Sequence, residues 1–102
     1  MFEGTTTKVS ETVMALSTTI SPKTDMVRIT DTTVTTVLST VLPSFGGGFS
    51  GIMVLVNDSG NPINFVSTGN IEMSGSRTVP DNFTMILVFS KLSSKWYTGA
   101  IS

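Results

Sequence analysis

No apolar run in this chain is longer than five residues, and each is fenced by residues that turn the backbone. Ile52-Met53-Val54-Leu55-Val56 runs into Asn57-Asp58-Ser59-Gly60-Asn61-Pro62, and Ile63-Asn64-Phe65-Val66 runs into Ser67-Thr68-Gly69-Asn70. Val79-Pro80-Asp81-Asn82 precedes Met85-Ile86-Leu87-Val88-Phe89, and Trp96-Tyr97 follows a short polar turn. Short runs rich in β-branched and aromatic residues, separated by Gly, Asn, Asp, Pro and Ser, predict antiparallel strands joined by hairpins.

Further strands are expected on either side of these runs. Met26-Val27-Arg28-Ile29-Thr30 alternates apolar and polar residues, and Ile71-Glu72-Met73 and Thr78-Val79 flank a turn at Gly75-Ser76-Arg77. Thr84 to Phe89 is apolar on both faces, which predicts a central strand covered on each side. Val34, Val37, Leu38, Val41 and Leu42 recur at helical spacing. Thr32 to Val41 is nevertheless almost all Thr, Val and Ser, whose stiff χ1 or competing hydrogen bonds favour strand. Residues 1–25 read as a separate arm or peripheral segment, with 26–102 as the β domain. Within that arm Val9, Val13, Leu16 and Ile20 fit one helix face, while Met14, Leu16 and Ile20 also fit alternation and the Thr-rich flanks favour extended chain. Residues 43–51 are a loop in which Gly46-Gly47-Gly48 lies between Phe45 and Phe49. The glycines are no phosphate cradle, because no Gly-Lys-Ser/Thr follows them.

Reactive chemistry is sparse. With no His and no Cys in 102 residues, serine triads, metal–histidine sites, thiolates and disulfides are all ruled out. The seven acids form no recognisable acid–base pair or calcium loop. Asp58 and Asp81 sit in turns, where capping of local amides is their expected role. Arg77 and Lys95 could clamp a carboxylate, although a solvated surface is the ordinary fate of such residues. Trp96 is expected inward and Tyr97 outward on a last strand, the alternative being a stacking platform for a sugar or base. No enzyme, cofactor or metal is expected. The six basic residues are scattered and the net charge is −1, which offers no footprint for nucleic acid. Five apolar residues fall far short of the ~20 that cross a bilayer as a helix, and Met1-Phe2-Glu3-Gly4 lacks the basic, apolar start of a signal peptide.

Charged residues are 13%, about half the ~25% usual for a soluble domain, and the mean hydropathy is +0.30. A small chain of that composition tends to associate unless its surface is covered. Association with further copies of itself is therefore expected.

From Val27 to Tyr97 the chain resembles a β-rich module of tailed-bacteriophage structural proteins: fibres, tips and capsid decorations. The likeness is carried by Val27-Arg28-Ile29-Thr30, Thr36 to Pro43, Phe49-Ser50-Gly51 leading to Val54-Leu55-Val56, and Ile63-Asn64-Phe65. It continues through Ser67-Thr68-Gly69-Asn70-Ile71, Val79-Pro80, Met85 to Phe89 and Lys95-Trp96-Tyr97. The resemblance implies a small antiparallel β-sandwich or jelly-roll-like barrel that assembles as a trimer. The function it implies is that of a capsid decoration (cement) protein in the virion, bound to a major capsid protein. A receptor- or glycan-binding tip, fibre or tail adaptor is the alternative. Val9, Val13, Leu16, Ile20, Phe45 and Phe49 are the expected partner contacts.

Overall fold

A computed structural model describes residues 11–42, 51–73 and 75–101. Eleven strands and no helix occur among them: β1 Thr12–Ala15, β2 Thr19–Ile20, β3 Met26–Asp31, β4 Val37–Leu38, β5 Thr40–Val41, β6 Ile52–Asn57, β7 Ile63–Phe65, β8 Ile71–Glu72, β9 Arg77–Val79, β10 Thr84–Ser90 and β11 Lys95–Ile101. They form a six-stranded sheet in the order β1-β3-β6-β10-β11-β8, a three-stranded sheet β4-β7-β9 and a pair β2-β5.

The alternation in sequence becomes an alternation of faces. On β6, Met53, Leu55 and Asn57 are buried; on β10, Met85 and Leu87; on β3, Val27 and Ile29; on β11, Trp96. Ile20, Leu38, Val41, Ile63, Phe65 and Val79 from the two smaller sheets join them in one apolar core. Trp96 is completely sealed, its ring tilted against Phe89 with centroids 5.1 Å apart. Its indole N–H donates to Val41 O at 3.0 Å, which satisfies the polar edge that a buried Trp must not leave bare.

The all-β expectation holds, whereas the expectation of hairpin-joined antiparallel strands holds only in part. β10 is antiparallel to β6 and β11, and β7 to β9, but β1-β3, β3-β6, β8-β11, β2-β5 and β4-β7 run parallel. Turn residues announce a reversal without saying which strand will lie alongside. The turn after Asn57 carries the chain out of the large sheet into β7 of the small one. Lys91–Ser94 alone makes a tight connection between paired neighbours, closed by Ser94 N–H donating to Ser90 O at 2.8 Å.

The ambiguous stretches hold short strands and no helix, but residues 32–36, expected as strand, lie in none. Residues 12–20 form β1 and β2, with Leu16 and Ile20 in the core, so this part of the expected arm is woven into the sheets. Residues 1–10 of the arm lie outside the described residues, Val9 among them, as do Phe45 and Phe49, while 21–25 link β2 to β3. Between 33 and 42 the helical spacing of Leu38 and Val41 arises because Ser39 interrupts two short strands, each of which buries one residue. β3 ends where Asp31 Oδ1 accepts from Thr33 N at 2.8 Å and Thr33 Oγ1 at 2.7 Å. Those bonds hold the Asp31 carboxyl below its ordinary pKa.

Asn57 is the polar member of the core. Its Nδ2 donates to Asn61 O at 2.7 Å and Val79 O at 3.0 Å, while Oδ1 accepts from Ser59 N at 3.2 Å and Ser59 Oγ at 2.7 Å. This residue, and not Asp58, caps the turn. Asp58 turns outward to Arg28, and Asp81 reaches across to accept from Gly60 N at 2.8 Å. Asn57 also begins a glycosylation sequon, but its amide is fully engaged and buried.

Asn57→Ala strips a donor from Val79 O inside the core and is expected to cost about 2–4 kcal/mol. Ser59→Ala leaves Oδ1 its backbone partner and should cost about 1 kcal/mol; urea melts of both variants test the ordering. Asp31 is exposed and its folded pKa is depressed, so its contribution is present above the unfolded value of about 3.9 and fades as pH falls through the folded one. Asp31→Asn should therefore show a shallower loss of stability on acidification than the wild type when melting is followed from pH 6 to pH 2.

Candidate functional site

Two features of the surface go beyond what the fold requires. The first is the outer face of the six-stranded sheet. Because inward and outward residues alternate, a strand that is apolar throughout must show half its side chains away from the core. Ile86 is 39% exposed, Val88 45%, Ile52 47% and Tyr97 41%. Strand register makes them neighbours: Val88 lies opposite both Ile52 and Tyr97, and Ile86 opposite Val54, which is itself beside Met26. Thr84, Val56, Arg28 and Val13 make the next row. The central position expected for residues 84–89 is observed, but the described residues cover only one of its faces.

Ion pairs stand at the two margins of this face. Toward β1, Arg28 bonds Glu11 at 3.3 Å and Asp58 at 3.1 Å. The Glu11 contact first, then Asp58, raises the guanidinium above its ordinary pKa. Toward β8, Lys95 Nζ meets Glu72 Oε1 at 3.0 Å. All these groups are partly exposed, so they define edges and contribute little stability.

The second feature is an open cleft of about 820 Å³ where two-residue β8 stops and β11 continues, lined by Glu72, Met73, Ser76, Arg77, Tyr97 and Thr98. Arg77 crosses from β9 to donate from Nη1 to Thr98 Oγ1 at 3.2 Å and Gly99 O at 3.1 Å. Gly99 sits where the β10–β11 register shifts, and a side chain there would press on the Ile86 carbonyl at 3.1 Å. The Tyr97 hydroxyl is 3.2 Å from Ser93 Oγ.

Of the contacts expected from sequence, Val13 is 59% exposed at the rim of the outer face, whereas Leu16 and Ile20 are buried in the chain's own core. Trp96 is inward and Tyr97 outward, which leaves only Tyr97 as a platform for a ligand. Arg77 and Tyr97 were each expected as possible ligand contacts, but nothing in the sequence joined them, because the lining comes from β8, β9, β11 and the β8–β9 connection, which no spacing rule links. No three acidic side chains come together as a cation cage among the described residues. No protein family, no curated sequence and no solved structure matches the chain.

If the outer face is dispensable for folding, Val88→Thr should change stability by less than about 1 kcal/mol. Its inward neighbour Leu87→Ala should cost about 2–5 kcal/mol. The single Trp96 provides the fluorescence signal for denaturant titrations of both.

Proposed function

We propose that this chain is a virion structural protein: a capsid decoration (cement) protein that assembles as a trimer and staples adjacent subunits of a major capsid protein. One observation carries the reading, the row of aliphatic and aromatic side chains on the outer face of β6, β10 and β11. Such a patch on a small protein marks an interaction surface. The finer architecture belongs to the same proposal. We read the large sheet and the two smaller ones as the layers of a small sandwich with jelly-roll-like crossings, since the chain passes between layers after Asn57 and again after Phe65. The function we assign is non-catalytic, with no cofactor, nucleic acid or membrane.

The occupant of the face is a second copy of the chain. Six strands ~4.8 Å apart and up to seven residues long give a projected area of about 500 Å² before side-chain corrugation, approaching the ~800 Å² per partner of a stable interface. Among the described residues, the β1 margin carries Arg28, Glu11 and Asp58 (+1 −1 −1, net −1). The β8 margin carries Lys95, Glu72 and Arg77 (+1 −1 +1, net +1). Margins of opposite sign favour head-to-tail contact between copies, the arrangement that closes into rings such as trimers.

Sedimentation velocity is expected to give a trimer at micromolar concentration. The doubly charged variant Ile86→Lys/Val88→Lys should give a folded monomer that no longer attaches to capsids in a pelleting assay. A wild-type chain that stays monomeric to about 100 µM, or a double variant that still trimerises, would overturn the assignment. The alternative of a glycan-binding tip or tail adaptor draws on Tyr97 and the cleft beside it.

A further inference from the structure

We infer that the cleft between β8, β9 and β11 is a binding site for an acidic saccharide, a sugar bearing a ring carboxylate, with Arg77 as the carboxylate contact. Arg77 differs from Arg28 and Lys95 in having no carboxylate partner among the described residues. Its Nη1 is nevertheless fixed by Thr98 Oγ1 and Gly99 O. A guanidinium is a rigid planar fork of five donors. Anchoring one arm of the fork on β11 sets its plane and leaves Nε and Nη2 for a bidentate carboxylate. Little side-chain entropy remains to be lost when the anion arrives, because the strand has already ordered the arginine.

The rest of the lining suits hydroxyls better than a second anion. The Thr98 hydroxyl accepts from Arg77 and so has its own proton to donate. Ser76 adds a hydroxyl, and Tyr97 presents an outward aromatic ring against which a pyranose can pack. Glu72 is already paired with Lys95 at 3.0 Å, so the pair leaves Arg77 as the unpaired cation of the lining, enough for one negative charge, and the Glu72 carboxylate can still accept a sugar hydroxyl. One guanidinium, one neutralised carboxylate, two hydroxyls and a ring match a monoanionic polyol. Glucuronate is the simplest probe of that class. The site shares Tyr97 with the outer face, where Val88 lies opposite it, but Arg77 and Ser76 come from β9 and the turn before it, so Ile86→Lys separates binding from assembly.

The test is an amide-resolved NMR titration of the whole chain with glucuronate, glucose and acetate, each to about 50 mM. Glucuronate is expected to bind in the millimolar range and shift the amides of Arg77, Tyr97 and Thr98, with glucose and acetate at least about tenfold weaker. A glucuronate-terminated oligosaccharide that binds more tightly would extend the site along the sheet edge. Arg77→Gln should weaken glucuronate about tenfold or more, the loss expected for one charge-assisted contact. Tyr97→Ala, at an exposed position, gives the same readout should Arg77→Gln disturb the fold. Ile86→Lys should leave binding unchanged while altering assembly. Glucuronate causing no shifts at these residues, glucose binding as tightly, or Arg77→Gln and Tyr97→Ala both keeping full affinity would each overturn the inference.

Discussion

The carbonyl of Val41 joins the layers of this protein. It accepts from the Trp96 indole at 3.0 Å and from Asn70 Nδ2 at 2.7 Å, while Asn70 Oδ1 takes the Val41 amide at 2.9 Å and Asn70 O takes the Trp96 amide at 2.8 Å. Asn70 thus plays the part of a missing strand, presenting β5 with a donor and an acceptor in the spacing a neighbouring backbone would offer. The largest apolar side chain of the core can be buried only because this node satisfies its one polar atom. The chain approaches the node through Gly69, where any side chain would overlap Ser39 O and Thr40 Oγ1. The tightness of this crossing also explains why strands as short as β4 and β5 persist: they are held by long-range partners and not by their own length.

Much of the strand inventory was legible because period-two alternation is imposed by the sheet itself. Met53 and Leu55 bury while Ile52 and Val54 do not, and Trp96 and Tyr97 separate as their order requires. Pairing was not legible. Asn57-Asp58-Ser59-Gly60 has every mark of a hairpin turn, but it sends the chain to another sheet, because the two places beside β6 belong to β3 and β10. Asn57 takes the capping role expected of Asp58 for a related reason. The neutral amide faces inward at the strand end, where it can both donate and accept among four partners, and the neighbouring carboxylate is left near Arg28. Arg77 and Tyr97 were legible singly, as a cation and an outward ring, but the cleft was not, since β8 lying parallel to β11 is what brings Glu72 beside Tyr97.

The two faces of β10 express two different demands. Met85 and Leu87 are set by packing inside the chain, whereas their outward neighbours Ile86 and Val88 meet no covering layer among the described residues. Thr would serve a solvated strand equally well in the backbone ladder, and the aliphatic choice is the feature on which the proposed assembly draws. Ion pairs at the margins fit the same picture, limiting the apolar strip at both ends and giving it a direction.

The parallel pairing of β3 with β6 has a consequence in time. Val27 must wait for Leu55, and Leu55 for Met85, before the large sheet closes. Such distant pairings carry loop-closure entropy that has to be met before any contact rewards it, so the barrier to folding is high and the rate slow. During synthesis the early strands therefore emerge without their neighbours, and the large sheet is completed only when β10 and β11 have followed.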